Sequence, residues 1–128
     1  MTNVIEKYQI TVMPDYGMGP YAWQKPISDQ SPYVGICIAT ATDGLETEEG
    51  TKVSAALEAD FDEWTGMFEQ FAERSDFDWK LFHEQGMSLS RRLKTELGQD
   101  YRVVYHKPCE DPGRETDEYT EITAHSDA

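Results

Sequence analysis

The chain has 128 residues, 25 of them Asp or Glu against 11 Lys or Arg, and a formal net charge of -14. That length fits one domain, residues 1–128, with one modest core, and excludes a multidomain enzyme or a large barrel. An aromatic content of 12% argues against wholesale disorder, and the acidity argues against direct nucleic-acid binding, which needs clustered Lys and Arg.

Residues 4–13 alternate, with Val4, Tyr8, Ile10 and Val12 on one face, and predict a half-buried strand. Residues 14–32 carry Pro14, Gly17, Gly19, Pro20, Pro26 and Pro32 and predict a long loop. Residues 33–41 are apolar or small on both faces and predict an interior strand, with Cys37 as a buried thiol. A polar connection follows over residues 42–50. A helix is predicted from about Lys52 to Arg74, because Val53, Leu57, Phe61, Trp64, Phe68 and Phe71 share one arc at the helical period. A second is predicted from about Phe77 to Leu97, with the stripe Trp79, Phe82, Gly86, Leu89, Leu93 and Leu97. Ser75 or Asp76 is its expected cap, and Gly98 its expected stop. Tyr101–His106 predicts another strand and Lys107–Gly113 a turn; residues 108–128 are a tail or hold an edge strand over residues 117–123. The order ββααβ, with a further C-terminal strand as an option, predicts an α+β fold. Its small, mostly antiparallel sheet of three or four strands would be packed on two long helices.

The charge is concentrated. Residues 43–78 hold 12 acidic and two basic side chains, whereas residues 79–107 hold three acidic and six basic ones. On an ideal helix Glu58, Asp62, Glu69 and Glu73 fall within about 60° of one another, nearly opposite the apolar stripe. They make a carboxylate ridge about 22 Å long. Like charges one turn apart each cost about 0.2–0.5 kcal/mol. Such a ridge is either a solvated face or a contact surface whose repulsion a basic partner relieves.

The loop Asp15–Trp23 places Tyr16, Met18, Tyr21 and Trp23 in a Gly- and Pro-rich stretch. Large apolar groups there either plug the open side of the sheet or anchor a partner. The predicted partner-binding set is therefore Glu58, Asp62, Glu69, Glu73, Tyr16, Tyr21 and Trp23.

Tests for chemistry are negative. Gly17 and Gly19 lack the third spaced glycine and the helix of a dinucleotide fingerprint. His83, His106 and His125 are far apart in sequence. A zinc set of His106, Cys109, Cys37 and His83 is weaker than the reading of strand-end residues, so no metal and no cofactor is expected. His83 flanks the apolar stripe and reads as a packed, hydrogen-bonded histidine. The sequence shows no catalytic constellation. No signal peptide and no 18-residue apolar stretch is seen, so no membrane contact is expected. With two cysteines and no export signal, reduced thiols and a cytoplasmic location are expected, a Cys37–Cys109 disulfide being the alternative.

In size, charge and helix layout the chain is similar to small acidic inhibitors of bacteria and phages. These include immunity proteins that neutralise basic toxins, and DNA mimics. The resemblance carries over no individual residue. It implies a non-enzymatic protein that inhibits a basic protein, most simply a toxin domain such as a nuclease. Two alternatives stand beside it. One is a DNA-mimic inhibitor of a nucleic-acid-processing protein. The other is a small enzyme or ligand-binding domain with a pocket lined by Tyr8, Trp79, His83 and Tyr105.

Overall fold

Strand β1, Tyr8–Val12, runs through the middle of the molecule. Its alternation turns Ile10 and Val12, both fully buried, towards the helices. In the computed structural model, which describes residues 6–108, 110–113 and 119–122, five further strands flank it. They are β2 (Ala22–Pro26), β3 (Ile36–Thr40), β4 (Gly44–Leu45), β5 (Tyr101–His106) and β6 (Tyr119–Ile122). Their spatial order is β4-β3-β2-β1-β5-β6. All neighbours are antiparallel except β1 and β5, which run parallel with Ile10 opposite Val103. A parallel neighbour needs a crossover, and here helices α1 (Ala55–Phe71) and α2 (Trp79–Leu97) supply it.

The fold is thus α+β with two helices, as expected, but the sheet is six-stranded and mixed rather than a three- or four-stranded, mostly antiparallel one. The expected long loop contains β2, whose sequence Ala-Trp-Gln-Lys-Pro has no apolar alternation. Its polar members are buried because they find partners. Gln24 Nε2 donates to the Glu49 carboxylate at 2.8 Å, and Lys25 Nζ donates to the Ser31 carbonyl at 2.9 Å. The expected polar connection contains β4, a two-residue edge strand.

Strand β3 lies between β4 and β2 but is not buried on both faces as expected. Only Ala39 is buried, Ile36 is exposed and Cys37 is an exposed free thiol, so the expectation of a buried Cys37 is overturned. Pairing with β4 reaches only Ala39 and Thr40, which leaves the first half of β3 at the sheet margin. Gly35 precedes it because a Cβ there would lie 2.2 Å from the Gln24 carbonyl oxygen, and its φ is +117°. Cys109, the alternative disulfide partner, lies outside the described residues, as do Val4 and Ile5 of the expected first strand. At the other edge β6 pairs with β5, so Tyr119–Ile122 is a strand.

Both helices start later than the periodicity suggests. Ser54 caps α1 by accepting the Leu57 N–H, and Asp78, not Ser75 or Asp76, caps α2 by accepting the Leu81 N–H. Gly98 closes α2, as expected. Leu57, Phe61, Trp64 and Phe68 of α1 meet Phe82, Gly86, Leu89, Leu93 and Leu97 of α2 in one core with Val103 and Tyr105 of β5. Trp64 stacks on Phe82 with ring centroids 4.5 Å apart, and its indole N–H donates to the Phe82 carbonyl at 3.0 Å. Phe71, the last member of the expected stripe, is exposed.

Candidate functional site

Along the α1 ridge Glu69 and Glu73 are exposed, whereas Glu58 and Asp62 are half-buried. The loop between β1 and β2 and the turn between β3 and β4 fold against it. Glu58 accepts the Leu45 N–H at 2.7 Å. Glu69 accepts the Gly17 N–H at 2.9 Å. Each carboxylate thus fixes the tip of one sheet connection to the helix, a charge-assisted bond of the stronger kind. Two of these side chains are therefore engaged by neighbouring connections. A helical wheel gives an angle within the helix and is blind to the loops that pack on its flank.

The β1–β2 loop is built for this approach. Gly17, Met18 and Gly19 all have positive φ, and a Cβ at Gly19 would lie 2.8 Å from the Ala41 Cβ. Ala41 N–H bonds to the Gly19 carbonyl and joins the two connections. Met18, a non-glycine in the left-handed region, leaves 65% of its surface exposed at the tip. Tyr16 lies against Phe68, centroids 4.7 Å apart, and remains partly open to solvent.

The predicted residues separate into two groups and two outliers, Trp23 and Glu73. Tyr16, Glu69 and the Gly17 backbone come together at the loop tip. Glu58, Asp62 and Tyr21 come together deeper in the seam, where both carboxylates act on the Tyr21 hydroxyl. Trp23 stands apart. Its neighbour Ala22 is in the helix-facing core, so alternation turns Trp23 to the other face of the sheet, where its indole N–H donates to the Met13 carbonyl at 3.0 Å. Glu73 lies just past the end of α1 and is exposed. Tyr21 is fully buried and stacks on Phe61 at 4.5 Å, the plugging role.

Electrostatics in the seam is unrelieved. Burial pushes the Tyr21 hydroxyl well above its ordinary pKa, and the charges of Asp62 and Glu58 push it further. Asp62 is raised above the ordinary carboxylate value by partial burial and then by Glu58 one turn away. The folded state therefore favours protonated Asp62. The stability this confers is present below the carboxyl's unfolded pKa and is lost as pH rises through its folded value. At neutral pH, Asp62→Asn should stabilise the fold by about 0.2–0.5 kcal/mol, the cost of one like-charge pair. In urea melts taken across pH, that gain should vanish below about pH 4, the ordinary range of an aspartate.

A second buried polar group lies under α2. His83 Nδ1 is 2.7 Å from the Tyr105 hydroxyl and His83 Nε2 is 2.6 Å from Asp111 Oδ2. The packed, hydrogen-bonded histidine expected from the sequence is present. Its carboxylate partner, 28 residues away in the turn after β5, carries no local signal. Tyr8, Trp79, His83 and Tyr105 do not line one pocket. Tyr8 faces Tyr101, and Tyr105 is packed against Trp64, whereas Trp79 and His83 border an outer groove of about 590 Å³ with Lys80, Arg91 and Lys107. Among the described residues no three His, Cys, Asp or Glu converge as a metal site, and no helix is long and apolar enough to cross a membrane.

The described residues form an α+β domain in which two sheet connections are fixed onto the acidic flank of α1. Over residues 8–108 the chain matches the family described as Serratia CdiI immunity protein-like, and it belongs to that family. It is thus an immunity protein of the contact-dependent inhibition type, consistent with toxin neutralisation. No curated protein and no solved structure matches it.

Proposed function

We propose that the chain neutralises a basic toxin domain by non-enzymatic binding, and that the α1 seam with the β1–β2 loop is the surface it uses. The observation that carries this reading is the uneven charge: residues 43–78 are net -10 on a chain of net -14. Two of the ridge carboxylates also hold the loop tips in place. Glu58, Asp62, Glu69 and Glu73 steer the encounter, and Tyr16 with Met18 offers apolar contact area at the rim. Tyr21 supports the seam from within, and Trp23 serves a separate patch. A nuclease is the natural target, because its nucleic-acid cleft is basic. The encounter takes place in the cytoplasm and involves no nucleic acid and no membrane.

The test is the association rate with the toxin domain the chain protects against, measured across ionic strength. Steering predicts a fall of about tenfold or more from low salt to well above physiological salt. The double variant Glu69→Gln, Glu73→Gln should associate more slowly at low salt and converge on the parent at high salt. A rate that is flat with salt removes the proposal.

A further inference from the structure

The face of the sheet turned away from the helices carries a row of polar side chains. Ile10 of β1, Ala22 of β2 and Val103 of β5 belong to the helix-facing core, so alternation turns Gln9, Lys25 and Arg102 to the other side. The register sets these three abreast on neighbouring strands. Gln9 is opposite Lys25 on β2 and opposite Arg102 on β5. All three border one cavity of about 580 Å³, walled by the loop after β2, with Tyr33, and by Tyr119 of β6.

Lys25 is the unusual member. It is 7% exposed, and its Nζ donates to the Ser31 carbonyl at 2.9 Å. Ser31 borders the same cavity, so the ammonium stands at the cavity wall. Among the described residues Lys25 enters no ion pair. A buried ammonium has three protons to place and is ordinarily paired with an opposite charge; here one proton meets a neutral oxygen. Arg102 is engaged on one side only. Its Nε donates to Glu6 at 3.0 Å and lies 3.9 Å from Glu121, whereas its terminal nitrogens have no acceptor among the described residues.

We infer that this cavity binds one carboxylate, held between the Lys25 ammonium and the terminal N–H groups of Arg102. The two residues are two strand spacings apart, about 10 Å between backbones. Both side chains are long enough to close on one two-oxygen group from opposite sides, each giving a charge-assisted bond. Glu6 and Glu121 lie against Arg102, and Asp29 borders the cavity. A doubly charged phosphate would meet those three carboxylates, so a single negative charge fits better. Tyr33 and Tyr119, each about half exposed, offer aromatic surface to an apolar body carrying the carboxylate. The volume is that of a small-molecule site, about 300–1,000 Å³. The ligand class is therefore a monocarboxylate with an apolar body, either a free organic acid or the carboxyl end of a peptide. The site lies across the sheet from α1, so it stands or falls apart from the toxin-binding reading of the seam.

The test is a titration of the ¹⁵N-labelled full chain with hydrocinnamate at neutral pH and low salt. Saturable shifts are expected at the amides of Gln9, Lys25 and Arg102, with a Kd of about 1 mM. Hydrocinnamamide has the same shape without the charge and should bind at least about tenfold more weakly. Lys25→Met keeps the stem and removes the ammonium, and it should weaken hydrocinnamate binding by about tenfold. Arg102→Gln should do the same from the cavity rim, and it decides the matter where Lys25→Met disturbs folding. N-acetylphenylalanine distinguishes the two sources. Tighter binding than hydrocinnamate marks a peptide chain end, and weaker binding a free acid. Shifts that do not saturate or that fall elsewhere overturn the proposal. So do equal affinities for acid and amide, an equal response to inorganic phosphate, or parental binding by the folded variants.

Discussion

His83→Leu should cost about 3–5 kcal/mol of stability, the penalty for leaving half of a buried polar pair without its partner. Both ring nitrogens are used. Nε2 is 2.6 Å from Asp111 Oδ2, and Nδ1 is 2.7 Å from the Tyr105 hydroxyl. Burial, and then the charge of Asp111, holds the Tyr105 hydroxyl far above its ordinary pKa, so that group keeps its proton. The arrangement that satisfies every atom is a Tyr105 O–H donating to Nδ1 and an Nε2–H donating to Asp111. Leucine fills a similar volume but strands both ends. Asp111 Oδ1 keeps the Gly113 N–H at 2.8 Å, while Oδ2 loses its donor. Urea unfolding followed by circular dichroism measures the loss from the midpoint and slope. The double variant His83→Leu, Asp111→Leu should recover much of it, because the stranded charge goes with its partner. Equal losses in the single and double variants would mean that packing, not the pair, sets the effect. The network lies away from the α1 seam, so toxin binding by the folded variant should be unchanged.

The second large effect is expected at Gly86. A Cβ there would lie 2.5 Å from Tyr105 Cε1 and 2.6 Å from Trp64 Cζ2. Both are ring atoms held in the core, and neither ring can swing aside like the end of a flexible chain. Gly86→Ala should therefore destabilise by about 1–3 kcal/mol through overpacking. It should do so even though alanine is the better helix former by about 1 kcal/mol. Gly66 is the internal control, because nothing lies within 4 Å of a Cβ built there. Gly66→Ala should show the propensity gain alone, a stabilisation of up to about 1 kcal/mol. Thermal melts of the two variants should move in opposite directions. A Gly86→Ala protein as stable as the parent would show that α2 can lift off β5 at little cost. Glycine at 86 lets α2 sit close to β5, which brings His83 within reach of Tyr105; the two predictions therefore concern one helix–strand contact.

The elements that could be read from the chain are those whose signal is local. The periodic stripes locate both helices, and Gly98 marks the end of the second. Tyr101–His106 is a strand with the predicted bounds. The helix starts moved by two or three residues because Ser54 and Asp78 make the capping bonds, and several neighbouring residues are chemically able to do so. Strand β2 was illegible for a different reason. Gln24 and Lys25 look like loop residues until Glu49 and Ser31 arrive to bond them. Strand β3 misled in the opposite sense: its apolar run suits an interior strand, yet only a two-residue partner covers its outer side.

The same division holds for the candidate site. Composition along the chain was enough to locate an acidic central stretch and an aromatic loop, because charge and side-chain type are properties of single residues. Which carboxylates are engaged, that Tyr21 is a plug, that Trp23 faces away, and that His83 finds Asp111 are properties of pairs far apart in sequence. They follow from chain crossings, above all the parallel placement of β5 beside β1. A buried polar atom is stable where a partner meets it, and the approach of that partner is settled by the packing of the whole domain.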